Sequence, residues 1–393
     1  MLVVSLRAAG LRSQSRFGIF SGKAGKGFAT EATFETKPYK LHRLETGPST
    51  NVSVNKKDAM ALLYNMQSIR RMEAAANAMY KEKLVRGFCH LYTGQEACAV
   101  GMHAAIRPTD AVITAYRAHG WVHLRGATIV QVLGELTGRK SGCSRGKGGS
   151  MHMYFDNFYG GNGIVGAQIP LGTGVAFAQK YNGTDSVTLA CYGDGAANQG
   201  QLFEAFNMAK LWGLPVIFVC ENNGFGMGTS AERASANTSY YTRGDVIPGV
   251  WVDGMDVLAV REATRFCVEM CRKGEGPVML ETATYRYYGH SMSDPGTSYR
   301  TRDEVQEVRH TRDPITHFKE KVLSAGFATN DEMKQMEQDI RVEVDAATKI
   351  AKSDPEVPME EITADVYTDP INSQIKGVTP FDHMTHIKVG VKH

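Results

Sequence analysis

The sequence has no CxxC pair, no even set of cysteines and no apolar run near the ~18 residues that a membrane helix needs. Its seven cysteines, at 89, 98, 143, 191, 220, 267 and 271, mostly sit in apolar runs. That excludes a disulfide framework and a zinc ribbon as the organising device, and points to reduced core cysteines. The first thirty residues have no acidic side chain. They hold Arg7, Arg12, Arg16, Lys23 and Lys26 together with Ser5, Ser13, Ser15 and Ser21. This is the composition of a mitochondrial transit peptide, so residues 1–30 are expected to be a targeting segment and the matrix the destination. The formal charge of +3 then misleads. Of 44 basic residues, those five leave 39 against 41 acidic, a net of −2. The basic excess is an address and not a nucleic-acid patch.

What is present is an ordinary globular composition, 42% apolar and 22% charged over 393 residues. Residues 31–57 are polar, contain Pro38 and Pro48, and read as an extended lead-in. Asp58 is placed to cap a long helix from about 59 to 85. A small-residue helix is expected over 93–106, a buried strand over 111–116 and a short helix over 128–137. Residues 138–174 read as one long loop rich in Gly, Ser, Lys and aromatics, and loops of that length are usually functional. A strand at 186–192, a helix at 198–212 and a strand at 215–220 make a βαβ unit. A helix at 256–273, a strand starting at Pro277, a polar loop at 289–302 and helices near 303–325 and 330–353 follow. The alternation predicts a doubly wound, largely parallel α/β sheet with helices on both faces and helical extensions at both ends. The main domain is expected over 58–360, with a C-terminal tail over 361–393.

The most informative pattern is Gly193-Asp194-Gly195 followed, after residues 196–221, by Asn222-Asn223. SVTLACY precedes the first cluster and PVIFVCE the second, so each polar cluster stands where a buried parallel strand ends. Ligands collect at those carboxyl ends. An Asp and an Asn offer hard oxygen donors, and the glycines let the backbone approach something bulky. That suits Mg²⁺ carrying a diphosphate. Taken singly, a glycine-bracketed Asp or an Asn pair is more often a plain turn. The pairing at one strand-helix spacing carries the signal.

Other motifs fail. Gly161, Gly163 and Gly166 have the dinucleotide spacing, but YFDNFYG before them is no buried strand. SGCSRGKGG at 141–149 has the wrong glycine spacing for an ATP-binding P-loop, with Gly148 where Ser or Thr would hold Mg²⁺. His119 and His123 lack the Glu of a zinc protease and read as structural.

Seven stretches appear in order: RGFCHLYTGQEA, TAYRAHG, KGGSMHM, GGNGIVGAQIPLGTG, YGDGAANQGQLFEAFNMA, ENNGFGMGTS and YRYYGHSMSDPGTSYRTR. From about Pro38 to the C-terminal helices the chain resembles the alpha subunits of the decarboxylating component of mitochondrial pyruvate dehydrogenase complexes. The resemblance implies a thiamin-diphosphate-binding fold and oxidative decarboxylation of pyruvate, with delivery of the two-carbon unit to lipoyl groups. It implies Mg²⁺ on Asp194, Asn223 and the carbonyl of Phe225. Gly195 and Ala196 would present N–H groups to the diphosphate, ahead of a helix opened by Asn198. Tyr116 and Arg117 would grip diphosphate oxygens, and Gly163 and Val165 would meet the pyrimidine. His90 and His290 would line the reaction chamber. Ser230, Ser291 and Ser298 match regulatory phosphorylation sites, implying a kinase and a phosphatase.

The glutamate that activates the cofactor is not identifiable in this chain. The resemblance implies that a beta subunit supplies it within an α₂β₂ heterotetramer, serving a lipoyl-bearing acetyltransferase core. Three positions depart from the family pattern: Gly224 where Arg is common, Phe225 where Tyr is usual and Tyr288 where His is usual. Two alternatives stay open at this point. One is an alpha subunit for branched-chain 2-oxo acids, the other a catalytically silent alpha-like subunit.

Overall fold

The two apolar runs that precede the polar clusters do become adjacent buried strands. The computed structural model describes residues 30–377, 379 and 381–390. The expected targeting segment therefore lies outside the described residues, residue 30 excepted. The N-terminal part carries β1 (Glu31–Glu35), β2 (Lys40–His42), β3 (Asn51–Asn55), α1 (Lys56–Lys81), α2 (Glu96–His103), β4 (Ala111–Ile113), α3 (His119–Leu124) and α4 (Ile129–Leu136). The central part carries α5 (Gln168–Tyr181), β5 (Thr188–Gly193), α6 (Gly200–Leu211), β6 (Val216–Asn222), β7 (Phe225–Gly226), β8 (Thr229–Ser230) and α7 (Ala231–Ala234). Then come β9 (Gly249–Asp253), α8 (Val257–Arg272), β10 (Val278–Ala283), α9 (Arg302–Arg312), α10 (Pro314–Ser324), α11 (Asn330–Ser353), β11 (Gln374–Lys376) and β12 (His383–Thr385).

Six strands form the central sheet in the order β2-β9-β10-β6-β5-β4, all parallel except the antiparallel edge pair β2–β9. Alternate residues of its strands enter two separate cores, as the two-residue period of a strand requires. Leu189, Cys191, Ile217, Val219, Val278 and Leu280 pack toward α1, α2 and α8. Ala190, Tyr192, Val216, Phe218, Cys220 and Met279 pack toward α5 and α6. Both faces are covered, which is the doubly wound α/β arrangement expected. All seven cysteines are free and buried. No helix among the described residues is long and apolar enough to cross a membrane.

The first face is thick, because α10 and α11 form an outer layer over α1. The second face is one helix deep. Its outer surface leaves Leu171, Phe177, Tyr181, Leu211 and Trp212 exposed, with Phe177 stacked on Tyr181 and edge-on to Trp212.

Several expectations need correction. Asn55, not Asp58, caps α1. Its side chain accepts the Asp58 N–H at 2.8 Å, which puts Asp58 in the first turn, where a carboxylate favours the helix dipole. The helix stops at Lys81, not 85. The long loop from 138 ends early, because α5 begins at Gln168 despite Pro170, Gly172 and Gly174. Proline is tolerated in a first turn. Gly172 is needed where α5 crosses β5: a Cβ there would come within 2.7 Å of the Ala190 Cβ. Asn198 does not open α6. It ends a short 3₁₀ turn (Ala196–Asn198), and α6 starts at Gly200. The helix expected near 303–325 is two helices, broken where Asp313 caps α10 and Pro314 takes its first position.

Candidate active site

Because β5 and β6 pair in parallel with Gly193 opposite Glu221, Asp194 and Asn223 leave the sheet side by side. They are 2% and 9% exposed. A cavity of about 270 Å³ opens there. Of the residues read from the sequence, Tyr116, Arg117, Val165, Asp194, Gly195, Ala196, Asn223, Phe225 and His290 line it. His90 stands behind this wall, its ring 4.5 Å from that of Tyr116 and 5.2 Å from that of His290. Gly163 is not part of the lining. A Cβ placed there would sit 3.6 Å from the His152 ring and the Met151 methyl.

Asn223 is oriented by Gln95, whose Oε1 accepts from its Nδ2 at 3.1 Å. This turns the Asn223 Oδ1 the other way, where it accepts from the Phe225 N–H at 3.3 Å and from Arg286 Nη1 at 3.1 Å. The same Nη1 donates to the Phe225 carbonyl at 3.0 Å. Two oxygens expected to face a metal therefore converge on one cationic group. Arg286 is among the most deeply buried side chains, and the sequence reading missed it. A lone Arg just past the end of a buried strand, four residues before His290, was the available signal. Gln95 and Glu221 also line the cavity and were missed.

The hairpin β7–β8 closes one side. A Cβ on Gly195 would meet the Gly226 Cα at 3.1 Å, so the two backbones approach as only glycine allows. Gly224 sits at φ +83°, in the left-handed region that favours glycine.

Burial pushes the Asp194 carboxyl up to about 6, and it forms no ion pair among the described residues. Burial also pushes Glu221 up to about 6 while the Tyr92 hydroxyl donates to it. The Arg286 charge beside Asp194 and the Arg117 charge beside Glu221 offset this burial only in part. The donors here are one carboxylate, one amide oxygen and one carbonyl. That oxygen set suits Mg²⁺ and not a His/Cys metal. Among the described residues no cluster of three or more His, Cys, Asp or Glu is poised for a metal. Beside the acid, a Cβ on Gly193 would have nothing within 4 Å, so the floor is open to a bulky group. The residues fit a Mg²⁺-bound diphosphate.

Arg117 is 6% exposed and donates to the carbonyls of Leu91 and His290, the latter at 3.0 Å. It thereby ties together the two loops that carry His90 and His290. Burial, reinforced by the Arg117 charge, pulls His290 down to about 4 and His90 to about 2. Both imidazoles are neutral at physiological pH. The loop after β10 is threaded to the site by hydrogen bonds. Arg286 Nη2 donates to the Tyr299 hydroxyl at 2.8 Å, Tyr299 donates to Asp294, and Asp294 accepts the His290 N–H at 2.7 Å. Ser291 lies in this loop, 6% exposed, with its hydroxyl 2.8 Å from that of Ser293. Ser298 is exposed, and Ser230 caps α7 by accepting the Arg233 N–H at 3.3 Å. The Tyr288 hydroxyl accepts from Asn77 Nδ2 at 3.3 Å, pinning the loop to α1.

The glycine-rich loop at 141–149 does cradle an anion, but its own. The Glu135 carboxylate accepts the N–H groups of Ser144 (2.8 Å), Gly146 (2.8 Å), Gly148 (2.6 Å) and Gly149 (3.2 Å).

Comparison with known proteins agrees with this geometry. The family model described as "Dehydrogenase E1 component" matches residues 64–360. The chain is 62% identical over 376 residues to "Probable pyruvate dehydrogenase E1 component subunit alpha, mitochondrial" of Caenorhabditis elegans, covering 95% of this chain and 92% of that protein. It is 65% identical over 339 residues to the type II alpha subunit of Ascaris suum, covering 86% and 87%. Against the somatic-form alpha subunit of Homo sapiens it is 57% identical over 354 residues, covering 90% and 91%. With an oxygen-lined cavity at the ends of two parallel strands and this match over most of its length, the chain belongs to the dehydrogenase E1 component family.

Proposed function

We propose that this chain is the alpha subunit of a mitochondrial pyruvate dehydrogenase decarboxylating component, acting in the matrix with thiamin diphosphate and Mg²⁺. The observation that carries this reading is the convergence of the Asn223 and Phe225 oxygens beside the buried, ion-pair-free Asp194, in one cavity with His290 on its wall. The printed names of the relatives support pyruvate as the 2-oxo acid.

When bound, thiamin diphosphate supplies the electron sink that lets CO₂ leave a 2-oxo acid. This chain holds the other end. Asp194, Asn223 and the Phe225 carbonyl would hold Mg²⁺, and Gly195 and Ala196 would turn N–H groups to the diphosphate. Tyr116 and Arg117 would close over it, and Val165, which lines the cavity as Gly163 does not, would offer backbone to the pyrimidine. His90 and His290, as neutral imidazoles, accept or donate hydrogen bonds to the substrate and pass protons there.

Glu221 is the one glutamate among the residues lining the cavity, and Tyr92 already engages it. The activating glutamate is therefore assigned to a beta subunit in an α₂β₂ heterotetramer. The exposed aromatic face of α5 and α6 supports such a partner, since apolar patches of this kind mark protein interfaces. A lipoyl-bearing acetyltransferase core takes the two-carbon unit. A kinase and a phosphatase act on Ser230, Ser291 and Ser298. With Ser291 6% exposed, the loop must open before Ser291 is modified.

Co-expression with a beta subunit tests the reading. The complex should bind thiamin diphosphate in a Mg²⁺-dependent way and decarboxylate pyruvate in preference to 2-oxoisovalerate. Asp194→Ala should abolish binding. Absence of binding by the unsubstituted complex overturns the enzyme reading, and preference for 2-oxoisovalerate overturns the substrate.

A further inference from the structure

Three buried polar side chains from different elements form a continuous chain that ends on His90 without touching the cavity. Glu73 of α1 and His119 of α3 are 0% exposed, and Ser150 is 3% exposed. The Glu73 carboxylate oxygens lie 2.9 and 3.1 Å from His119 Nδ1. His119 Nε2 lies 2.9 Å from Ser150 Oγ, and Ser150 Oγ accepts the His90 N–H at 3.1 Å.

The direction follows from the donors available. In the tautomer with the hydrogen on Nδ1, His119 donates to the carboxylate and its Nε2 accepts the Ser150 hydroxyl. The hydroxyl oxygen is then left to accept from His90. Every member is satisfied, and each bond polarises the next in the same sense. The same Glu73 also accepts the Tyr92 N–H at 2.7 Å, while Arg117 donates to the Leu91 carbonyl between them. The backbone from His90 to Tyr92 is thus held at three successive points. In contrast, His90 Nδ1 is buried with no partner. A catalytic imidazole needs this combination, with its backbone fixed and one ring nitrogen unspent.

A serine, histidine and carboxylate in line resemble a hydrolytic triad, but the geometry excludes that use. The Ser150 hydroxyl is buried, and its oxygen is occupied by a backbone N–H. We propose that Glu73, His119 and Ser150 are positioning residues that fix the backbone of His90, and through it the imidazole, against Tyr116 and His290. This rests on the reading of His90 as a group of the reaction chamber.

The test uses the reconstituted alpha–beta complex. Ser150→Ala should lower kcat about tenfold with KM for the 2-oxo acid changed less than about threefold, since misplacing a catalytic group by ~1 Å costs up to about 100-fold. Ser150→Thr, which keeps the hydroxyl, should recover most of kcat. The double variant His90→Ala with Ser150→Ala should be no slower than His90→Ala alone, because Ser150 acts only through His90. Independently of turnover, hydrogen exchange of the segment around His90 should quicken in Ser150→Ala. Full additivity of the two losses, or unchanged exchange at His90, overturns the proposal. If Ser150→Ala does not assemble, His119→Asn breaks the chain one link further out and the same cycle applies. A His90→Ala complex with undiminished activity would instead overturn the role given to His90, while the exchange result still reports on the positioning contacts.

Discussion

Two glycine-rich cradles in this molecule use the same backbone chemistry and end in opposite states. At 141–149 four N–H groups close on the Glu135 carboxylate, which fills the nest from inside. At Gly193-Asp194-Gly195 the geometry is similarly permissive, but the space over Gly193 is open, and burial of the acid beside it outweighs the partial relief from Arg286 and backbone hydrogen bonds. The first is structural and complete. The second is only partly compensated, and the remaining negative charge is what a Mg²⁺ ion carrying a diphosphate would neutralise. Glycine richness alone does not distinguish a fold's internal staple from a ligand site. The occupancy of its donors and acceptors does.

The comparison can be broken from the filled side first. Glu135→Ala leaves four part-buried N–H groups without their acceptor, so a loss on the order of 2–4 kcal/mol is expected, read by denaturant unfolding of the complex. Glu135→Gln, which keeps an acceptor oxygen, should recover part of that loss. A near-neutral Glu135→Ala would mean that water replaces the carboxylate and the two cradles differ less than they look.

Asp194→Asn sharpens the open side. Catalysis should be lost, yet the cofactor-free complex should gain about 1–3 kcal/mol at pH 7, because a folded carboxyl near 6 against a usual ~3.8 penalises the charged form by ~1.4 kcal/mol per unit. The sign follows from linkage. Between the two values the native state holds the proton longer than the unfolded chain, so stability falls as pH rises. The advantage of Asn is full above about pH 6 and absent below about pH 4. Thermal melts across that window, with and without Mg²⁺ and cofactor, read it directly.

The smallest expected effect lies at the rim. Tyr288→Phe removes the hydrogen bond to Asn77, worth ~0.5–1.5 kcal/mol, and should speed kinase modification of Ser291 by roughly threefold. An unchanged rate would show that the Arg286–Tyr299–Asp294 thread, not the Asn77 contact, limits opening of the loop.

How much was legible can be argued from particular residues. Asp194 and Asn223 could be placed because a β-branched apolar run ending in polar residues is a local signal, and strand ends are where open sheets bind ligands. Arg286 and Gln95 could not. Each is distant in sequence from Asn223, and what makes them part of the site is a hydrogen bond formed only on folding. α5 was hidden for a similar reason: its glycines lower local helix propensity, and tight packing on β5 restores what propensity lacks. Asn55 and Asp58 both suit a helix start, and one side-chain hydrogen bond decided between them.

The sequence by itself determined the α/β alternation, the oxygen-donor pair at two strand ends and the reduced cysteines. These depend on composition, periodicity and short spacings, which the linear order preserves. Tertiary structure alone decided that Glu135 seals one glycine loop while Asp194 is left without an ion pair in the other, that Arg286 meets the Asn223 and Phe225 oxygens, and that Glu73, His119 and Ser150 reach His90. Each of these is a contact between segments far apart in the chain, and whether a buried polar atom is satisfied is known only once its partners arrive.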